Sequence, residues 1–263
     1  MTAGEEWIRL ELERLRARRF APRAIVGFLG ASQARAADVR RARPDLARRA
    51  RTWELAGAAG WTGLALAGHE PFRRRAAPGL AWWATTCVML EWHLGMVETP
   101  DGTPRNLGPA DALTLARAWL VPAIADDLSP VLVTAAGLTD WLDGIAARAS
   151  APTRAGRDLE GLVDAAVLAA ALRSARRAQL VHPAVVSLEL ARITAGMAYA
   201  VAVYFACAQP PSEAVLRAGR TTTPLRVGGL VAAASGHRRT AHALLATGSV
   251  ASLGLLARTV VRR

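Results

Sequence analysis

The sequence contains no lysine: all 33 basic side chains are arginine, set against 21 acids for a formal net charge of +12. A GC-rich codon bias alone yields such a chain, and the functional reading is attraction to an anionic surface. Aromatic residues make up only 5%, no aromatic-flanked basic groove is evident, and the rest of the chain reads as a membrane protein, which argues against nucleic acid as that surface. Anionic lipid suits it better. Cysteine is scarce, with Cys87 and Cys207 each inside an apolar stretch, so neither a disulfide framework nor a thiolate metal site is implied. Period-2 alternation is missing, which argues against a β-barrel, and no internal repeat stands out. The opening stretch MTAGEEWIRLELERLRARR starts with acids and alternates in sign, unlike a signal peptide.

What is present is apolar: hydrophobic residues reach 52% and mean hydropathy is +0.19. Charge and apolarity are segregated, with charge dominating residues 1–52. Residues 4–19 read as an amphipathic helix with Trp7, Leu10, Leu12 and Leu15 along one side. Residues 33–51 read either as a solvated surface helix or as one lying on a bilayer interface. Apolar segments follow near 53–68, 78–97, 107–125, 129–147, 159–172, 184–207, 225–236 and 241–257, several shorter than the ~20 residues a spanning helix needs. Their density of small residues suits close helix packing in a bilayer. The expected fold is all-α: a polytopic transmembrane bundle of about six core helices, with two extra N-terminal apolar helices and the amphipathic segment. The expected division is 1–100 and 101–263. The arginine-rich first 52 residues favour a cytoplasmic N-terminus, and counting spans from there places residues 143–156 on the cytoplasmic side.

Five carboxylates, Asp140, Asp143, Asp158, Glu160 and Asp164, interrupt two apolar stretches. Asp140 and Asp143 are three apart and share a helix face. Glu160 and Asp164 are four apart and share another. Pro152 and Gly156 mark a short turn between them, so the two helices pack antiparallel and the acid pairs converge. Four converging carboxylates repel, and divalent cations relieve that repulsion. All-oxygen ligands suit Mg²⁺, Mn²⁺ or Ca²⁺. Four acids have room for two ions, the arrangement used for in-line displacement at phosphorus.

The run Asp140-x-x-Asp143-Gly144-x-x-Ala147-Arg148, followed by Gly156-x-x-x-Glu160-x-x-x-Asp164, resembles the signature of the CDP-alcohol phosphatidyltransferases, DxxDGxxAR…GxxxDxxxD. One position departs: Glu160 stands where that signature has Asp, and Asp158 faces away from the others. The resemblance implies a multi-pass membrane enzyme of phospholipid biosynthesis in a bacterial plasma membrane, its active site facing the cytoplasm. Such an enzyme moves a phosphoryl-alcohol group from a CDP-linked lipid donor to an alcohol acceptor and releases CMP. It further implies Mg²⁺ or Mn²⁺, two ions, held by Asp140, Asp143, Glu160 and Asp164, with Asp164 as general base. Gly144, Ala147, Arg148 and Gly156 would face the nucleotide, and a homodimer is implied as well. The alternative is a catalytically impaired chain of the same fold that binds metal or nucleotide; an ion transporter with an acidic site is a weaker one.

The segment NLGPADALTLARAWLVP resembles the helix that precedes the signature in that family, through Leu113, Thr114, Arg117 and Pro122. Thr114 and Arg117 share a face and either look toward the nucleotide or let Arg117 snorkel to headgroups. Glu189 and Arg192 are three apart, which reads as an intramembrane ion pair or places Arg192 on an anionic acceptor. Arg220, beside three threonines, reads as a helix flank or as a phosphate cradle for the acceptor. Glu91 and His93 face different sides of a helix, so packing or an ion pair with arginine is expected there rather than metal. Asp126 and Asp127 are expected in a turn.

Overall fold

A computed structural model describes residues 2–99, 101–150, 153–207 and 212–261, except for the side chains of Arg148, Ser150, Glu213, Leu216, Ala218, Thr259, Val260 and Val261. Among the described residues the chain is helical: α1 (Ala3–Ala17), α2 (Pro22–Ala42), α3 (Pro44–Leu66), α4 (Ala76–His93), α5 (Pro109–Asp126), α6 (Pro130–Ser150), α7 (Arg154–Arg177), α8 (Pro183–Val201), α9 (Glu213–Thr221), α10 (Thr223–Ala234) and α11 (Arg238–Val261). Proline opens α2, α3 and α8, where its fixed φ suits the first turn and its missing N–H costs nothing. The expected apolar segments all fall on helices. Two helical stretches, Pro183–Ala206 and Arg238–Arg258, are long and apolar enough to cross a membrane. Helices α5, α6 and α7 carry the acids and arginines of the signature region and fall short of that apolarity.

The chain divides into two compact units. The first gathers residues 1–126 and 138–167. Its core joins Leu46 and Ala50 of α3, Trp83 and Leu90 of α4, Leu107, Leu115 of α5, and Leu159 of α7. Trp61, Phe72 and Trp119 form an aromatic cluster with ring centroids 4.9–5.3 Å apart. The close approach of α3 to α4 needs glycine: a Cβ at Gly79 would lie 2.1 Å from the Trp61 ring. Trp83 and Trp119 donate their indole N–H groups to the backbone oxygens of Glu54 and Gly57, so neither buries an idle donor. Glu91 pairs with Arg40 and Asp126 with Arg74 and Arg75, the ion-pair use expected of Glu91.

The loop from Val97 to Gly108 leads into α5. It doubles back through an antiparallel bridge between Glu98 and Pro104, and Gly102 takes the left-handed conformation (φ 85°) that the reversal requires. Helix α1 is tied to it by Gly4 N–H donating to Glu98 Oε1 at 3.1 Å. Helix α1 also begins with a reciprocal cap between Thr2 and Glu5. The Thr2 backbone N–H holds the Glu5 carboxyl below the ordinary value of 4.5; burial opposes this, and Arg154 reinforces it.

The second unit gathers residues 127–137 and 168–263. Helix α11 packs against α8, α9 and α10. Glu189 of α8 is fully buried, accepts from Ser249 Oγ at 2.6 Å and pairs with Arg192 Nε at 2.9 Å. The ion pair expected from the spacing of Glu189 and Arg192 is therefore formed, and the serine satisfies the remaining carboxylate oxygen.

Candidate active site

Helices α6 and α7 are joined at residues 151–153 and bring their acids together. Carboxylate oxygens of Asp140, Asp143 and Glu160 lie within 4.8 Å of one another. Oxygen ligands sit about 2.0–2.6 Å from Mg²⁺, Mn²⁺ or Ca²⁺, so two on one ion are separated by up to roughly twice that. The three oxygens fit a single hard divalent cation, and the extra methylene of Glu160 does not carry its carboxylate out of reach. Asp158 faces away and pairs with Arg154 at 3.2 Å.

Arg117 of α5 reaches into the same cluster. Its Nη1 donates to Asp140 Oδ1 at 2.8 Å, and Nη2 stands 2.8 Å from Asp143 Oδ2 and 3.1 Å from Asp164 Oδ1. Nη2 meets those two oxygens without hydrogen-bond alignment, and neither it nor Nε has a hydrogen-bond partner among the described residues. Arg117 is 1% exposed and Asp143 4%, so the charge balance between these two operates away from water. One buried cation thus ties together three carboxylates drawn from two helices. Thr114 Oγ1 also donates to Asp143 Oδ2, at 3.3 Å. Asp164, with nearly half its side chain exposed, is the acid of the group most open to a substrate.

A cavity of about 290 Å³ adjoins the cluster. Asp143, Glu160, Ala147, Gly156 and Thr114 line it, together with Asp111 and Thr153, which the spacing argument passed over. Gly156 lies in the first turn of α7 rather than in the connecting turn, because Thr153 Oγ1 caps its N–H at 3.0 Å. A Cβ at Gly156 would come within 3.0 Å of Asp111 Oδ1 and 3.1 Å of Thr153 Oγ1, so side-chain bulk there fills the cavity. Asp111, 8% exposed, accepts from Gly108 N–H at 2.8 Å and closes the N-terminus of α5. An acid three residues after the residue preceding a helix is a capping signal, which marks Asp111 in the sequence.

Gly144 is half-buried on α6. The side chain of Arg148 and residue Pro152 lie outside the described residues. Arg192 and Arg220 belong to the second unit, where Arg192 pairs with Glu189 and Arg220 is exposed near the end of α9.

No curated protein and no solved structure matches the chain. A family-wide description of the CDP-alcohol phosphatidyltransferases matches residues 108–253. That match covers more than half of the chain and opens at the helix presenting Thr114 and Arg117. The chain therefore belongs to the CDP-alcohol phosphatidyltransferase family, which is membrane-integral, transfers a phosphatidyl group from a CDP-alcohol and generally uses a divalent metal.

Proposed function

We propose that the protein is a membrane-embedded enzyme of phospholipid biosynthesis that transfers a phosphoryl-alcohol group from a CDP-linked lipid to an alcohol acceptor, releasing CMP. The observation that carries this reading is the convergence of Asp140, Asp143 and Glu160 oxygens within 4.8 Å beside a cavity kept open by Gly156. These three carboxylates, with Asp164, are the groups to hold one or two Mg²⁺ or Mn²⁺ ions. Such ions neutralise charge on the donor diphosphate.

Asp164 takes the proton of the acceptor hydroxyl as its oxygen attacks the β-phosphorus. The bond from that phosphorus to the bridging oxygen breaks, and the electron pair leaves with CMP. Arg117 restrains Asp164 at 3.1 Å and so holds the base in place. Gly144, Ala147 and Gly156 leave room for the nucleotide, with Thr114, Arg117 and Arg148 beside it. Residues 1–100 and 101–263 form the accessory and transferase parts, the active site faces the cytoplasm of a bacterial plasma membrane, and the chain pairs as a homodimer.

Purified full-length protein, given CDP-diacylglycerol, Mn²⁺ and a panel of alcohols that includes glycerol phosphate, inositol phosphate and serine, is expected to release CMP with one of them. Asp164→Asn is expected to abolish that release. Unchanged CMP formation in Asp164→Asn would refute the assignment of the base.

A further inference from the structure

The cavity beside the acids has a second chemistry. Arg49, Arg105 and Arg157 line it as well. None of the three is a fixed position of the acid signature, and Arg49 and Arg105 precede the family-matched segment, which begins at residue 108. Arg49 and Arg157 have no acidic partner among the described residues, although three carboxylates line the same cavity.

Arg49 is placed there by specific contacts. Its Nη1 donates to the backbone oxygen of Leu107 at 2.7 Å, which leaves the rest of the guanidinium fork available. The start of α3 and the residue before it hold the loop as well. Asn106 Nδ2 donates to Asp45 Oδ2 at 3.0 Å, and Arg43 donates to the backbone oxygens of Val97 and Arg105. Leu46 and Leu107 are both buried in one core, so apolar packing and polar contacts fix the α3 turn against this loop. Region 1–100 therefore contributes Arg49 to the cavity lining and holds the loop that supplies Arg105.

Arg49 and Arg157, without an acidic partner among the described residues, call for an anion. Arginine forks match phosphate oxygens, and the nearby acids suit a cation that phosphate also binds. A volume of about 290 Å³ takes a nucleotide or phosphorylated polyol head but not acyl chains. We infer that Arg49, with Arg105 and Arg157, forms a phosphate-binding wall of this site, supplied largely from outside the family-matched segment. The inference rests on the proposed transferase reading for the ligand class. Its phosphate belongs either to the donor nucleotide or to a phosphorylated acceptor.

The test measures binding of CDP, CMP, cytidine and glycerol phosphate to the full chain in Mn²⁺, by calorimetry, for wild type, Arg49→Gln, Arg49→Lys and Arg157→Gln. Loss of one charge-assisted contact weakens binding about tenfold or more. Arg49→Gln and Arg157→Gln are expected to weaken the phosphate-bearing ligands by that factor and leave cytidine unchanged, while Arg49→Lys retains part of the affinity. Loss confined to CDP and CMP identifies the donor; loss confined to glycerol phosphate identifies the acceptor. Among the described residues the Arg157 side chain holds no backbone oxygen of the loop, so Arg157→Gln separates phosphate binding from disturbance of the loop. Wild-type affinity for every phosphate ligand in both glutamine variants overturns the inference, as does a wild-type chain that binds none of them. Arginine-dependent CDP binding without CMP release leaves the inference standing and removes the transfer reading. Turnover with unchanged KM in both variants does the reverse.

Discussion

Replacing Arg117 by methionine keeps an unbranched chain of similar length and deletes the charge shared by Asp140, Asp143 and Asp164. Stripping one partner from a buried ion pair costs about 3–5 kcal/mol. Only the Asp143 arm is buried on both sides, with side-chain exposures of 2% and 5%. Asp140 and Asp164, at 30% and 47%, face water and contribute at the exposed-pair level of roughly 0–1 kcal/mol each. The expected loss is therefore near the low end, about 3 kcal/mol. At roughly 2–4 °C per kcal/mol for a chain of this size, Tm falls by about 6–12 °C. Thermal unfolding in detergent with chelator, followed by circular dichroism, reads this directly. The same scan in Mn²⁺ supplies a second cation to the acids, so Arg117→Met is expected to gain more from metal than wild type does. An unchanged Tm in chelator, or equal metal-induced shifts in the two proteins, would show that Arg117 is not the counter-charge of the cluster.

Glu160→Gln removes one of three anionic oxygens and is expected to weaken Mn²⁺ at least about tenfold, ~1.4 kcal/mol, in a titration followed by electron paramagnetic resonance. Gly156→Ala gains up to about 1 kcal/mol of helix propensity while its Cβ crowds Asp111 and Thr153. Tm should hold or rise as CDP affinity drops, and a variant binding CDP as wild type does would show that the cavity is not used. Glu5 has a folded pKa below its ordinary 4.5, so the stability it contributes is present above that pH and is lost as pH falls through the lower folded value. Protection of α1 amides against hydrogen exchange, corrected for the intrinsic rate at each pH, should fall as pH drops below 4.5 in wild type, and Glu5→Gln should remove that pH dependence.

The residues whose roles are local were legible in the sequence. Helix periodicity and the spacings of Asp140, Asp143 and Glu160 determine which faces they share, and a short connection forces those faces together. Arg117 was legible as a neighbour of Thr114, but its grip on three carboxylates depends on the rotation of α5 against α6 and α7, which no spacing encodes. Arg49 was illegible for a different reason. It sits in a run where arginine is the commonest side chain, and only the tertiary meeting of α3 with the loop at Leu107 separates it from Arg48 or Arg51. Asp111 carried a capping signal, yet its place at the cavity follows from Gly156 of α7 lying beside it. Charged residues shared among many faces are where pattern reading stops and packing decides.

The aromatic cluster of the first unit has a spectroscopic consequence. All eight tryptophans, from Trp7 to Trp141, fall within residues 1–126 and 138–167, while both tyrosines, Tyr199 and Tyr204, fall in the second unit. Indole emission is therefore a reporter of the first unit alone, with Trp61, 1% exposed and edge-on to Trp119, among its most shielded emitters. Ellipticity sums helices from both units. Comparing emission and ellipticity midpoints in one denaturation would count the cooperative steps, and would do so without an added label or a substituted residue.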